Sequence, residues 1–142
     1  NVGKTNSVIQ TLYAFLKTNP NDILSISLLG TFLGMKEEYN EAIKFQKLAI
    51  EKAPFEIIFY INLSETLSAT NKLEDALSTL YLAKVLSLKD KSIDYKLAKI
   101  YTKLKNYFKE KDINDMAYKM STRKIQKIIE QYRNILEKYK KF

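Results

Sequence analysis

Two acidic pairs are the first residues in this chain whose spacing could carry a reaction, Glu37-Glu38 and Glu74-Asp75. Neighbouring carboxylates can divide into a general acid and a general base when their surroundings differ. Both pairs stand where a helix is expected to begin, however, and negative side chains there complement the helix dipole. Helix support is the favoured reading. Gly3-Lys4-Thr5 has the ending of a phosphate-binding loop, but that loop needs a glycine six residues before the lysine and a strand leading into it, and neither is present. The triplet reads as a frayed terminus. With no Cys and no His there is no thiolate nucleophile or ligand and no imidazole base. No catalytic residues, no cofactor and no metal ligands are expected, and an enzyme is the least expected class.

A third kind of chemistry is carried by lysines interleaved with tyrosines toward the C-terminus, around Tyr132 and Tyr139. Phosphate contacts plus base stacking would suit nucleic acid. The aromatic residues fall on one apolar stripe, with the charges outside it, so a helix with a buried face and a solvated lysine face is preferred. The net charge is +8. Residues 1–88 hold 8 Lys and 9 Asp+Glu, a charge of −1, and residues 89–142 hold 16 Lys+Arg and 7 Asp+Glu, a charge of +9. The basicity is C-terminal.

The elements that must position these residues are helical. Three Gly and two Pro in 142 residues leave few tight hairpins, while Leu, Ile, Lys, Glu and Ala recur at helical spacing. One all-α domain is expected. No apolar run reaches the roughly 18 residues of a membrane span. No charged-then-apolar leader opens the chain, and its first residue is Asn, so an upstream segment is expected. The compartment is left open, with the cytoplasm as default.

A shift of 34 residues lays the chain on itself. Leu29-Gly30 falls on Leu63-Ser64, Tyr39 on Leu73, Ala42-Ile43 on Ala76-Leu77 and Ala49 on Ala83. One shift back puts Val8, Leu12, Phe15 and Pro20 at the phase of Ala42, Gln46, Ala49 and Pro54; one forward puts Leu97-Ala98, Tyr101, Tyr107 and Ala117 at that of Leu63-Ser64, Leu67, Leu73 and Ala83. Small residues at Gly30, Ser64 and Ala98 let the first helix of a pair approach the second, with Ala42 and Ala76 the matching small residues on that second helix. Pro54 and Pro20 stop helices near Lys52 and Thr18, and Asn19, Asn21 and Asp22 supply turn and cap oxygens.

This pattern resembles the tetratricopeptide-repeat (TPR) family. The resemblance implies an all-α, right-handed α-α superhelix of antiparallel helix pairs with a C-terminal capping helix. The chain divides into residues 1–22, the second helix of a preceding unit; two repeats, 23–56 and 57–90, with Ile26 and Tyr60 at the large position; a degenerate repeat, 91–121, with its first helix at about 91–104 and a loop or loose turn at 109–115; and a cap, 122–142, whose stripe is Ile125, Ile128, Ile129, Tyr132, Ile135, Leu136 and Tyr139. The stripe also has heptad spacing, so pairing of two chains is the alternative to a cap.

In that family the first helices line a concave groove, which here would present Leu24, Ser27, Leu28, Thr31 and Met35, then Ile58, Ile61, Asn62, Glu65 and Ala69, then Ser92, Tyr95, Lys96, Lys99 and Lys103. Some TPR domains clamp the acidic tail of heat-shock chaperones with Lys, Asn and Arg. Asn62 and Lys96 fit two of those positions, whereas Ser27, Thr31 and Ser92 do not. The function implied is a protein-binding adaptor or scaffold, with Leu28, Met35, Ile58 and Ile61 receiving apolar side chains, Asn62 holding the partner's backbone and Lys96, Lys99 and Lys103 selecting an acidic segment. The alternatives are a nucleic-acid-associating basic repeat and a self-association module.

Overall fold

The computed structural model describes residues 2–107. Apolar residues at helical spacing produce six helices there: α1 (Val2–Thr18), α2 (Ile23–Met35), α3 (Tyr39–Lys52), α4 (Ile57–Ala69), α5 (Leu73–Leu86) and α6 (Lys91–Tyr107). There is no strand among the described residues. The 34-residue period is written into the backbone. Helices α2 and α4 start and stop 34 residues apart, as do α3 and α5.

The turns repeat bond for bond. After α2, the Glu38 N–H donates to Leu33 O and the Glu37 N–H to Gly34 O; after α4, the Lys72 N–H donates to Leu67 O and the Asn71 N–H to Ser68 O. This nested pair satisfies the orphan carbonyls at a helix end and needs a residue at positive φ. Glu37 (φ 65°) and Asn71 (φ 58°) are those residues. Glu37 is therefore a turn residue and not, as expected, part of the helix start. Glu38 stands at the N-cap of α3 and pairs with Lys36 at 2.6 Å, while Glu74 and Asp75 do lie in the first turn of α5. At the other edge the Ala53 and Ser87 N–H groups close α3 and α5 on Ala49 O and Ala83 O. Asp22 caps α2 by accepting from the Ser25 N–H at 3.4 Å and the Ser25 hydroxyl at 3.2 Å. Asn21 accepts from Lys52 Nζ at 2.7 Å, and Asn19 acts as a donor, to Phe15 O.

Consecutive helices pack on one another, α1 on α2, α2 on α3 and onward to α6. Ile43, Tyr60, Leu63, Leu67, Leu77, Leu80, Ile93, Leu97 and Ile100 share the largest core cluster, which reaches from α3 to α6. Smaller clusters around Leu29, Leu33 and Ala42, and around Ile26, Ala49 and Phe59, tie α1, α2 and α3 together and reach α4. The close approach expected at Gly30 is there: a Cβ on it would lie 2.9 Å from Gln46 Cγ and 3.3 Å from Ala42 O. Ser64 is buried likewise, whereas Ala98 is exposed.

Three further expectations are adjusted. Gly3, Lys4 and Thr5 lie in the first turn of α1 and not in a frayed end. Phe15 shares the phase of buried Ala49 but is exposed, and Ile9 is the buried residue of α1. Helix α6 runs three residues past 104. The second half of the degenerate repeat, the 109–115 loop and the 122–142 cap lie outside the described residues.

Candidate functional site

Helices α2, α4 and α6, the first members of successive pairs, meet along one face. Asn62 Nδ2 reaches back from α4 to Thr31 Oγ1 at 3.3 Å. Lys96 of α6 forms an ion pair with Glu65 of α4, and Lys103 donates to Ser68 Oγ at 3.0 Å. Each contact joins residues 31 or 35 apart, so the repeat itself places them on the same side. The side chains left over form a groove.

Two cavities open into it. The first, about 240 Å³, lies between α2 and α4 and is lined by Thr31, Met35, Asn62, Glu65 and Ala69, together with Gly34, Tyr39, Gln46 and Thr66. The second, about 260 Å³, lies between α4 and α6 and is lined by Glu65, Ala69, Tyr95, Lys96, Lys99 and Lys103 over a floor that includes Ser64, Ser68, Leu80 and Ile100. Glu65 and Ala69 belong to both walls. The ammonium of Lys99 lies 5.7 Å from the centre of the Tyr95 ring, within cation–π range.

Most of the residues assigned to the groove by the repeat are accessible. Leu24 and Met35 are 68% and 67% exposed and Tyr95 is 68% exposed; Leu28, Ile58 and Ser92 are exposed too, and Ser27 is half-buried. Leu24, Ser27, Leu28 and Ile58 line neither cavity. Ile61 departs from expectation: it is 9% exposed and packed in the main core, where α4 turns inward, so it cannot receive a partner's side chain.

Among the lining residues that the repeat did not assign to the groove are Gln46 and Thr66. Gln46 is 4% exposed. Its Nε2 donates to Thr66 Oγ1 at 2.9 Å and to Gly30 O at 3.4 Å, and the Thr66 hydroxyl in turn donates to Asn62 O at 3.2 Å. One polar strut thus runs from α2 through α3 to α4 beneath the first cavity. The available signal was a paired change of type: the residues 34 positions either side of Gln46 are Leu12 and Leu80, and those around Thr66 are Phe32 and Ile100. Two polar residues at apolar phases are explained by the bond between them.

Among the described residues no group of three or more His, Cys, Asp or Glu could hold a metal ion, and no helix is long and apolar enough to cross a membrane. Apolar, amide and cationic groups face one channel.

Residues 4–135 match the family model of the ChAPs, the Chs5p-Arf1p-binding proteins. The chain belongs to this family. No curated protein sequence matches the chain. Among solved structures, the TPR2B domain of yeast Sti1 in complex with pHsp70 superposes with a TM-score of 0.66 at 22% identity, over 71% of this chain and 86% of that one. The type III secretion translocator chaperone SycD of Yersinia enterocolitica gives 0.66 at 23%, over 75% and 77%. MamA of Desulfovibrio magneticus RS-1 gives 0.68 at 19%, over 94% and 70%. At these identities the likeness is one of fold, and this ChAPs chain is a TPR-type helical solenoid.

Proposed function

We propose that this chain is a protein-binding adaptor that holds a segment of a partner along the groove of α2, α4 and α6. The observation that carries the reading is the pair of adjoining cavities, lined by side chains from three successive first helices and joined at Glu65. The family description, Chs5p-Arf1p-binding, names the proteins to be tried first. Exposed Leu24, Leu28, Met35 and Ile58 supply apolar contact at one end. Lys96, Lys99 and Lys103 supply positive charge at the other and favour a carboxylate-bearing stretch.

The test is calorimetric titration of the chain with purified Chs5p and with purified Arf1p, for wild type and for an Asn62→Ala, Lys96→Glu double variant. At least a tenfold loss of affinity is expected, with thermal unfolding of the variant serving as the check on its fold. Undiminished binding of both proteins by a folded variant places the interface elsewhere and overturns the reading.

A further inference from the structure

We propose that the cavity between α4 and α6 takes a phosphorylated side chain of the partner segment, a phosphomonoester dianion in preference to a carboxylate. This rests on the reading that the groove holds a partner, and it names the anion for which this end of the groove is charged.

Lys96, Lys99 and Lys103 stand at i, i+3 and i+7 on one face of α6. All three line the cavity of about 260 Å³, together with Tyr95 from the same helix; α5 contributes Leu80, which carries no charge, and α4 contributes one acid, Glu65. Three ammonium groups against one carboxylate leave this wall at +2. Two of the ammoniums are held in place. Lys96 is paired with Glu65, and Lys103 donates to Ser68 Oγ at 3.0 Å and to Ser68 O at 3.5 Å. Lys99 lies 5.7 Å from the centre of the Tyr95 ring and has no carboxylate partner among the described residues. Each ammonium carries three donors, so Lys96 and Lys103 keep hydrogens for a visitor where they stand.

Each class of visitor can be weighed against that wall. An apolar side chain would cover the ammoniums without an acceptor. A carboxylate would cancel half of the excess charge, with two coplanar oxygens for three lysines. A phosphomonoester carries about −1.5 to −2 near pH 7 and three terminal oxygens pointing apart, so it cancels the excess and gives each lysine, on its flexible stem, an oxygen of its own. The cavity shares Glu65 and Ala69 with the one between α2 and α4. The bearer of the phosphate is therefore a chain that continues along the groove past Asn62, and not a headgroup presented by a flat bilayer. Within an acidic stretch, a phosphorylated Ser or Thr is the residue seated here, and adding or removing its phosphate sets how tightly the segment is held.

The probe is Nα-acetyl-O-phosphoserine amide, titrated into the isotopically labelled chain by NMR, with Nα-acetyl-glutamate amide as the comparison. At about pH 7.5 the phosphoserine compound should move the backbone amides of Ser68, Ala69 and Lys99 with about tenfold tighter affinity than the glutamate compound. With no His in the chain, the second ionisation of the phosphate is the charge that changes most between about pH 7.5 and pH 5, so the advantage should shrink about fivefold at the lower pH. Lys99→Gln leaves the contacts of Lys96 and Lys103 in place and should cost the phosphoserine compound about fivefold. Equal affinity for the two compounds, an advantage unchanged at low pH, or full affinity in Lys99→Gln overturns the proposal. Retention on phosphatidylcholine vesicles containing phosphatidylinositol phosphate, lost in Lys99→Gln and without a phosphoserine response, assigns the lysines to a membrane surface and overturns it as well. If phosphoserine fails while the Asn62→Ala, Lys96→Glu variant loses Chs5p or Arf1p, the groove stands and its phosphate pocket does not. If that variant binds both proteins undiminished, both readings fall.

Discussion

Gly30 shows how much one side chain decides in a helical stack. Replacing an exposed helical glycine by alanine stabilises by about 1 kcal/mol. Here the new Cβ would lie 2.9 Å from Gln46 Cγ and 3.1 Å from Gln46 N, and the second of these is backbone that cannot swing away. Separation of α2 from α3 outweighs the propensity gain, so Gly30→Ala should destabilise by about 1–3 kcal/mol, read as a lower urea midpoint. Ala42→Leu, on the facing helix, should behave alike. Glu37 argues in the opposite direction. It holds φ 65° with a Cβ that disfavours it, so Glu37→Gly should raise stability by up to about 1 kcal/mol. A loss on substitution would mean that its carboxylate has a role in the turn. Gly30 and Ala42 were legible in the sequence because a small residue at a repeated phase has one steric explanation. Glu37 was not, since no glycine or asparagine marks its turn, although Asn71 does mark the equivalent one.

At the scale of elements, the period told where helices start and stop, because the signals for stopping (Pro54, Pro20) and for starting (Asp22 as cap) are local. What it could not tell is how far each helix rotates inward. Ile61 and Phe15 show this. Both sit at phases whose neighbours suggested the other environment, and burial depends on which helix lies opposite, a tertiary fact. The α5–α6 junction carries its own prediction. The Tyr81 and Tyr101 hydroxyls meet at 2.6 Å, and Lys84 reaches Asp94 at 2.8 Å. Burial, and then the hydrogen bond to Tyr81, push the Tyr101 phenol up from its ordinary value. A folded pKa above the unfolded one means that stability is complete below about pH 10 and falls as the unfolded chain ionises above it. Urea midpoints taken between about pH 8 and pH 11 should therefore decline less steeply in Tyr101→Phe than in wild type. Parallel declines would show that the pair is neutral in both states or too wet to matter.

The described residues form a one-dimensional stack, in which each helix draws most of its stability from the helices next to it. Such an array need not unfold all at once. Helix α1 packs on α2 at the edge of the described stack and contributes Ile9 as its buried residue, with Leu12 and Leu16 half-covered. Helices α4 and α5 lie between neighbours on both sides and hold most of the largest core cluster. Local opening should follow that gradient, with amides of α1 exchanging with solvent well before those of α4 and α5. The sharper test is Ile9→Ala. Removing those methylenes should cost about 2–4 kcal/mol at a site that cannot collapse onto a second neighbour. In a nearest-neighbour stack the loss falls on α1 and the adjoining turn of α2, leaving protection in α4 and α5 as it was. If protection drops by the same factor in every helix, the six fold as one cooperative unit. The groove would then be a rigid template, and a partner's charges would have to match Glu65 and Lys96 where they already stand. If only α1 and the adjoining turn of α2 loosen, the proposed partner meets an adjustable apolar end at Leu24 and Leu28 beside a fixed Glu65–Lys96 ion pair.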